Sequence, residues 1–335
     1  MRVALVAGND VADAEEIRGL AAALRDAEHQ VSPQVIEAGP DASVRAAVPG
    51  LAASLRSAWS RQRPDVVHAF GWAGGLAAVA AARDAGLPVV TAFGSLAMTE
   101  RRHGPGPDEQ ERARLERAIG AASRALIAAS SEEAAGLVRM GVSRRRVHVV
   151  PAGVDVSVFT PDGPVAPHAH QADKADKAKP RIVTAAGIDD EQSATLARAM
   201  AALPGAELIA CPPGASDQEL AALLRSASLF VHVPAYCPRG TCCLKAMACG
   251  TPVVASAGGA HADMITSGTN GLLVSPGRPD LLAARIRHLL GHPLLREACG
   301  IAAADRAQSR YGRDRVTTET LAVYAAVAQS QPHAA

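Results

Sequence analysis

The stretch from Tyr236 to Gly277, YCPRGTCCLKAMACGTPVVASAGGAHADMITSGTNGLLVSPG, concentrates the residues of this 335-residue chain that could do chemistry. Gly240, Thr241 and Cys242 read as the start of a helix. Free amides at a helix N-terminus, with their partial positive charge, suit a phosphate. Arg239 stands immediately before that start and Lys245 about one and a half turns inside it. Together with the amides of Gly240 and Thr241, these cations make a candidate nucleotide or phosphate site. Cys237, Cys242, Cys243 and Cys249 lie in the same stretch, but their spacing is not that of paired zinc-binding thiols. They read as small residues on a helix and its flanks, and no metal is assigned. Cys237 beside a helix N-terminus could act as a nucleophile, but the sequence identifies no base for it.

These residues need a frame, and the sequence supplies one. Apolar runs RVALVA (2–7), DVVHAF (65–70), PVVTAF (88–93), ALIAAS (125–130) and VHVVPAG (147–153) alternate with helical patterns. Ser130 or Ser131 can cap the helix SEEAAGLVRMG, and Gly141 suits its end. The alternation resumes with RIVTAAG (181–187), AELIAC (206–211), LFVHVP (229–234), PVVASA (252–257) and GLLVSP (271–276), and the chain closes in helices. Near-continuous apolar strands alternating with helices imply parallel sheets covered on both faces. Between them, TPDGPVAPHAHQADKADKAK (160–179) lacks apolar periodicity and reads as a linker. Length is ample for two domains. The expected organisation is an N-terminal domain at 1–160, a linker at 161–180, a C-terminal domain at 181–310 and a final helical segment at 311–335.

Composition excludes some classes. With 34 Lys plus Arg against 33 Asp plus Glu, the net charge of +1 offers no field for nucleic acid. Any membrane association is expected to be peripheral at most, through the run Arg144, Arg145, Arg146. Aromatic residues make up 3%, whereas alanine is abundant, which implies Ala-rich helices packed closely on a sheet. The apolar run at the N-terminus is too short for a signal-peptide core. Six cysteines without such a signal point to reduced thiols and a cytoplasmic location.

The frame of GLVRMGVSRRRVHVVPAGVDVSVFTPDG (136–163), KAMACGTPVVAS (245–256), NGLLVSPG (270–277) and RYGRDRVTTETLAVY (310–324) resembles the retaining glycosyltransferases of family 4. The resemblance implies an α/β fold of two Rossmann-like domains with parallel sheets facing an interdomain cleft, the arrangement called GT-B, with 1–160 as the acceptor-side domain, 181–310 as the nucleotide-sugar-binding domain and the helix in 311–335 packing back on the first domain. It implies a hexosyltransferase that uses a nucleotide sugar as substrate, an unidentified acceptor and no cofactor. By the same resemblance Gly187 belongs to the diphosphate site, Gly258, Gly259, His261 and Asp263 form the loop beside the donor sugar, and His68 in HAFGW is the catalytic candidate.

Several positions depart from the family pattern. Cys237 and Lys245 stand where the family has two glutamates, Ile188 and Ser193 where it has Arg and Lys, and Gly94 where it has a histidine. The glycine pair after the first strand is reduced to Gly8, followed by Asn9 and Asp10. The alternative is therefore a non-catalytic homologue that binds a nucleotide, a sugar or a protein partner.

Overall fold

The structure, a computed structural model, describes residues 1–8, 11–35, 44–103, 109–167 and 179–329. Asn9, Asp10 and most of the expected linker (168–178) lie outside the described residues. The chain divides into two compact units: Met1–Pro151 with the chain from Val316 onward, and Ala152–Arg315.

In the first unit the order is β1 (Arg2–Ala7), α1 (Val11–Asp26), β2 (Gln30–Val35), α2 (Val44–Arg61), β3 (Val66–Phe70), α3 (Gly71–Ala82), β4 (Val89–Ala92), α4 (Ala97–His103), α5 (Glu109–Ala122), β5 (Ala125–Ala128), α6 (Ser131–Arg139) and β6 (Val147–Val149). The strands pair in parallel in the order β2-β1-β3-β4-β5-β6. β3, β4 and β5 are buried throughout, which is why their sequences are apolar runs and not alternating patterns. β2, QVSPQV, carries Pro33 and polar residues because it lies at the sheet edge. α3 is nearly all Ala and Gly for a steric reason. A Cβ on Gly74 would sit 2.9 Å from the Val6 carbonyl oxygen, so only glycine lets this helix approach β1 so closely. Ser130, and not Ser131, caps α6, its hydroxyl accepting from the Glu133 amide at 3.2 Å. Arg146 donates to the carbonyls of Gly120 and Ser123, so only Arg144 and Arg145 of the basic run are fully exposed.

The second unit contains β7 (Arg181–Thr184), α7 (Asp190–Ala201), β8 (Glu207–Ala210), α8 (Asp217–Arg225), β9 (Leu229–His232), α9 (Thr241–Ala248), β10 (Val253–Ser256), α10 (Ala260–Met264), β11 (Leu272–Val274), α11 (Pro279–Gly291) and α12 (Pro293–Tyr311). Its sheet is parallel in the order β11-β10-β9-β7-β8. Asp189 caps α7 and Ser216 caps α8, the latter in a reciprocal capping box with Glu219. The closing helix, α13 (Arg313–Gln329), buries Val323, Tyr324 and Val327 in the core of the first unit beside Val3, Leu5 and Phe70. Among the described residues no helix is long and apolar enough to cross a membrane.

Candidate functional site

In parallel α/β sheets, ligands bind beyond the carboxyl ends of the strands. In the second unit the adjacent strands β9 and β10, with His232 opposite Ala255, lead to the loop 233–240 and the turn 257–259. The two segments are locked together. Gly259 has φ +60° and ψ −135°, and a Cβ there would fall 2.0 Å from the Cys237 carbonyl oxygen. That close pass lets the Ala260 amide donate to the same carbonyl at 2.8 Å. Val233 is fixed from the other side, its amide donating to the buried Gln192 Oε1 at 2.8 Å.

The centre of this region is a group of imidazoles and thiols. His261, fully buried at the start of α10, places Nδ1 3.1 Å from the Ser256 carbonyl oxygen. Its Nε2 lies 3.2 Å from His232 Nδ1 and 3.2 Å from Cys243 Sγ. Cys237 Sγ and one nitrogen each of His232 and His261 all lie within 4.8 Å of one another. Burial lowers His232 to about 4. Burial, with His232 alongside, lowers His261 to about 3, so both rings are neutral at neutral pH. Burial pushes the Cys237 thiol up to about 12, although the amides of Gly240 and Arg239 hydrogen-bond to it. Cys237 is thus a protonated thiol, not an activated nucleophile. None of the six cysteines forms a disulfide.

The residues expected around an anion are distributed as follows. Gly240 begins α9 in the left-handed conformation (φ +67°), and its amide faces Cys237. Thr241 and Arg239 are half-buried at the same end. Lys245 pairs with Asp217 at 3.0 Å and lies over the Phe159 ring, 5.0 Å from its centroid. Gly187 is exposed just past β7, while Ile188 packs partly on the core. Asp263 is half-buried, and its backbone carbonyl accepts from Arg306 at 2.7 Å and Tyr311 at 3.2 Å. Gly258 donates to the Ser256 carbonyl at 3.0 Å, shaping the turn. The structure thus brings Cys237, Gly240, Gly259 and His261 together and ties Lys245 to α8. His232 and Cys243 were missed as site residues. Each sits in an apolar segment, LFVH or CCL, where nothing local distinguishes it from core. A groove of about 640 Å³ in this unit lies at the opposite, amino ends of β7, β9 and β10, lined by Pro180, Ser228 and Pro252.

In the first unit His68 is the third residue of β3, inside the strand and 2% exposed. Its ring lies against Phe70 with centroids 4.2 Å apart, and Nδ1 is 2.6 Å from the Tyr324 hydroxyl. Burial lowers it to about 3. His68 Nε2 has no hydrogen-bond partner among the described residues. Gly94, with φ +74°, follows β4.

Two parallel α/β units, with a loop-built region at the carboxyl ends of the second sheet, make up the GT-B fold. Residues 3–158 match the model for Glycosyltransferase Family 4, and residues 170–306 match that for Glycosyl transferases group 1. The D-inositol 3-phosphate glycosyltransferase of Xylanimonas cellulosilytica is 31% identical over 306 residues, covering 78% of this chain and 72% of that one. The fold is similar to sucrose-phosphate synthase from Thermosynechococcus elongatus, with TM-score 0.83, 20% identity and 99% and 100% of the two chains covered. It is also similar to Anabaena HepE, solved in complex with UDP and glucose, with TM-score 0.75, 16% identity and 97% and 99% covered. The chain belongs to glycosyltransferase family 4.

Proposed function

We propose that this protein transfers a hexosyl group, with retention, from a nucleotide sugar to a small polyol phosphate of the inositol phosphate type. The observation that carries this reading is the 31% identity with a D-inositol 3-phosphate glycosyltransferase across 78% of the chain, spanning both units. Departure of a nucleotide diphosphate needs fixed dipoles or cations on the phosphates and an acceptor held in place. Gly187 beyond β7, Arg239 and Thr241 at the start of α9, and the turn Gly258–Gly259 leading to His261 and Asp263 are the groups assigned to the donor.

A second reading, a non-catalytic homologue that binds a nucleotide, a sugar or a partner protein, is favoured by one observation. Where the resemblance implies two carboxylates, the chain has a buried thiol, Cys237, and a lysine already paired with Asp217.

One experiment separates the two. The purified protein is offered UDP-, GDP- and ADP-sugars with inositol phosphate, and thermal shift and nucleotide release are followed together. A bound nucleotide at about 100 times its Kd stabilises the fold by about 3 kcal/mol. Turnover above that of a Cys237→Ala, Lys245→Ala control supports transfer and removes the second reading; stabilisation without turnover removes the first. Arg239→Ala is expected to abolish the nucleotide-induced shift, and an unchanged shift rules out that role for Arg239.

A further inference from the structure

The geometry points to a binding site for a borderline-soft divalent cation, zinc in the first place, formed by His232, Cys237 and His261 in the second unit. The site does not depend on the transfer reaction proposed above.

The first argument is the orientation of His261. A backbone carbonyl can only accept, and the Ser256 carbonyl oxygen at 3.1 Å is nearer to Nδ1 than the Ser256 hydroxyl at 3.4 Å, which places the ring proton on Nδ1. The Nε2 lone pair is then directed at His232 and Cys243. An imidazole whose far N–H is tied to a backbone carbonyl is the arrangement that orients a metal-ligating histidine.

The second is distance. Zinc bonds of about 2.0–2.1 Å to nitrogen and 2.3 Å to sulfur imply, for a tetrahedron, edges of about 3.3 Å between nitrogens and about 3.6 Å between nitrogen and sulfur. The His232–His261 separation of 3.2 Å matches such an edge. Cys237 Sγ is within 4.8 Å of both rings, so a small side-chain adjustment closes the set.

The third is chemistry. Two imidazoles and a thiol select zinc-like ions over magnesium or calcium, which prefer oxygen ligands. The Gly240 and Arg239 amides directed at the Cys237 sulfur would stabilise its thiolate as outer-sphere donors. Binding releases one proton to solvent, that of the Cys237 thiol. It also moves the His232 ring proton from Nδ1 to Nε2, leaving the Nδ1 lone pair for the metal. Cys243 Sγ lies 3.2 Å from His261 Nε2 but is not in the group of ligand atoms that all lie within 4.8 Å of one another, so the assigned set is three protein ligands, which leaves a fourth position of a tetrahedron for water.

The test uses the full chain, stripped with a chelator, exposed to Zn²⁺ alone or Co²⁺ alone and desalted. The expected results are stoichiometric retained metal and a cobalt spectrum with tetrahedral d–d bands and a thiolate-to-cobalt charge-transfer band. Cys237→Ser should lose that band. It and His232→Gln should weaken zinc binding by more than the about 10–100-fold that loss of an outer-sphere partner costs. His232 is the least buried of the three ligands, so His232→Gln carries the test if the cysteine variant does not fold. A wild-type chain that retains no metal, or a charge-transfer band that survives Cys237→Ser and disappears in Cys243→Ser, overturns the assignment.

Discussion

The Tyr324 hydroxyl and His68 Nδ1, 256 residues apart in sequence, lie 2.6 Å apart in the buried core of the first unit. This bond ties α13 to the middle of β3. Tyr324→Phe keeps the ring but leaves His68 with neither nitrogen paired among the described residues. Stranding a buried polar group costs about 1–3 kcal/mol, so urea unfolding should show a loss in that range with an unchanged m-value.

His68 also predicts a pH dependence. Burial lowers its pKa to about 3, against about 6.5 in an unfolded chain. The unfolded state therefore takes up a proton before the native state does. The stability this neutral ring contributes is complete above about pH 6.5 and is lost as pH falls toward 3. Between pH 6 and 4 the wild type should lose about 1 kcal/mol per pH unit more than His68→Phe in parallel urea titrations.

Gly259→Ala should be severely destabilising. Its φ of +60° is strained for alanine, and the new Cβ would lie 2.0 Å from the Cys237 carbonyl oxygen. A loss of about 3 kcal/mol or more in thermal unfolding is expected. Gly19→Ala in α1 is the control. Nothing lies within 4 Å of its Cβ position, and a gain of about 0.5–1 kcal/mol is expected there.

The buried carboxylate Glu116 accepts from the Ala97 amide at the start of α4 and from Arg112 Nε at 2.8 Å. Burial raises its pKa to about 7 even with Arg112 beside it. Glu116→Ala leaves the Ala97 amide without this acceptor while Arg112 keeps its pair with Glu100, and should cost about 1–3 kcal/mol. Glu116→Gln keeps the shape and an acceptor, so in denaturant unfolding it should cost less than half as much.

Much of the fold was legible because burial leaves a local mark. β3, β5, β7 and β10 are largely apolar runs that both faces of a parallel sheet require, and the SEEAAGLVRMG segment is bracketed by its cap, Ser130, and its stop, Gly141. β2 and α2 escaped the sequence reading. An edge strand needs fewer apolar residues, and QVSPQV with Pro33 reads as loop. Gly258, Gly259 and His261 were singled out through the frame around them, and the structure places them in and just after the turn that passes Cys237. His232 and Cys243 were not, since each looks like an ordinary residue of an apolar segment.

The sequence by itself determined the alternation of strands and helices and the family frame, since both depend on residues close together in the chain. Only the tertiary structure decided which side chains meet. Parallel pairing of β9 with β10 brings His232 to His261 across 29 residues, and the close pass at Gly259 carries Cys237 to the same point. Likewise His68 became a core partner of Tyr324 because α13 buries that tyrosine against β3, a contact between residues 256 positions apart that no local pattern encodes.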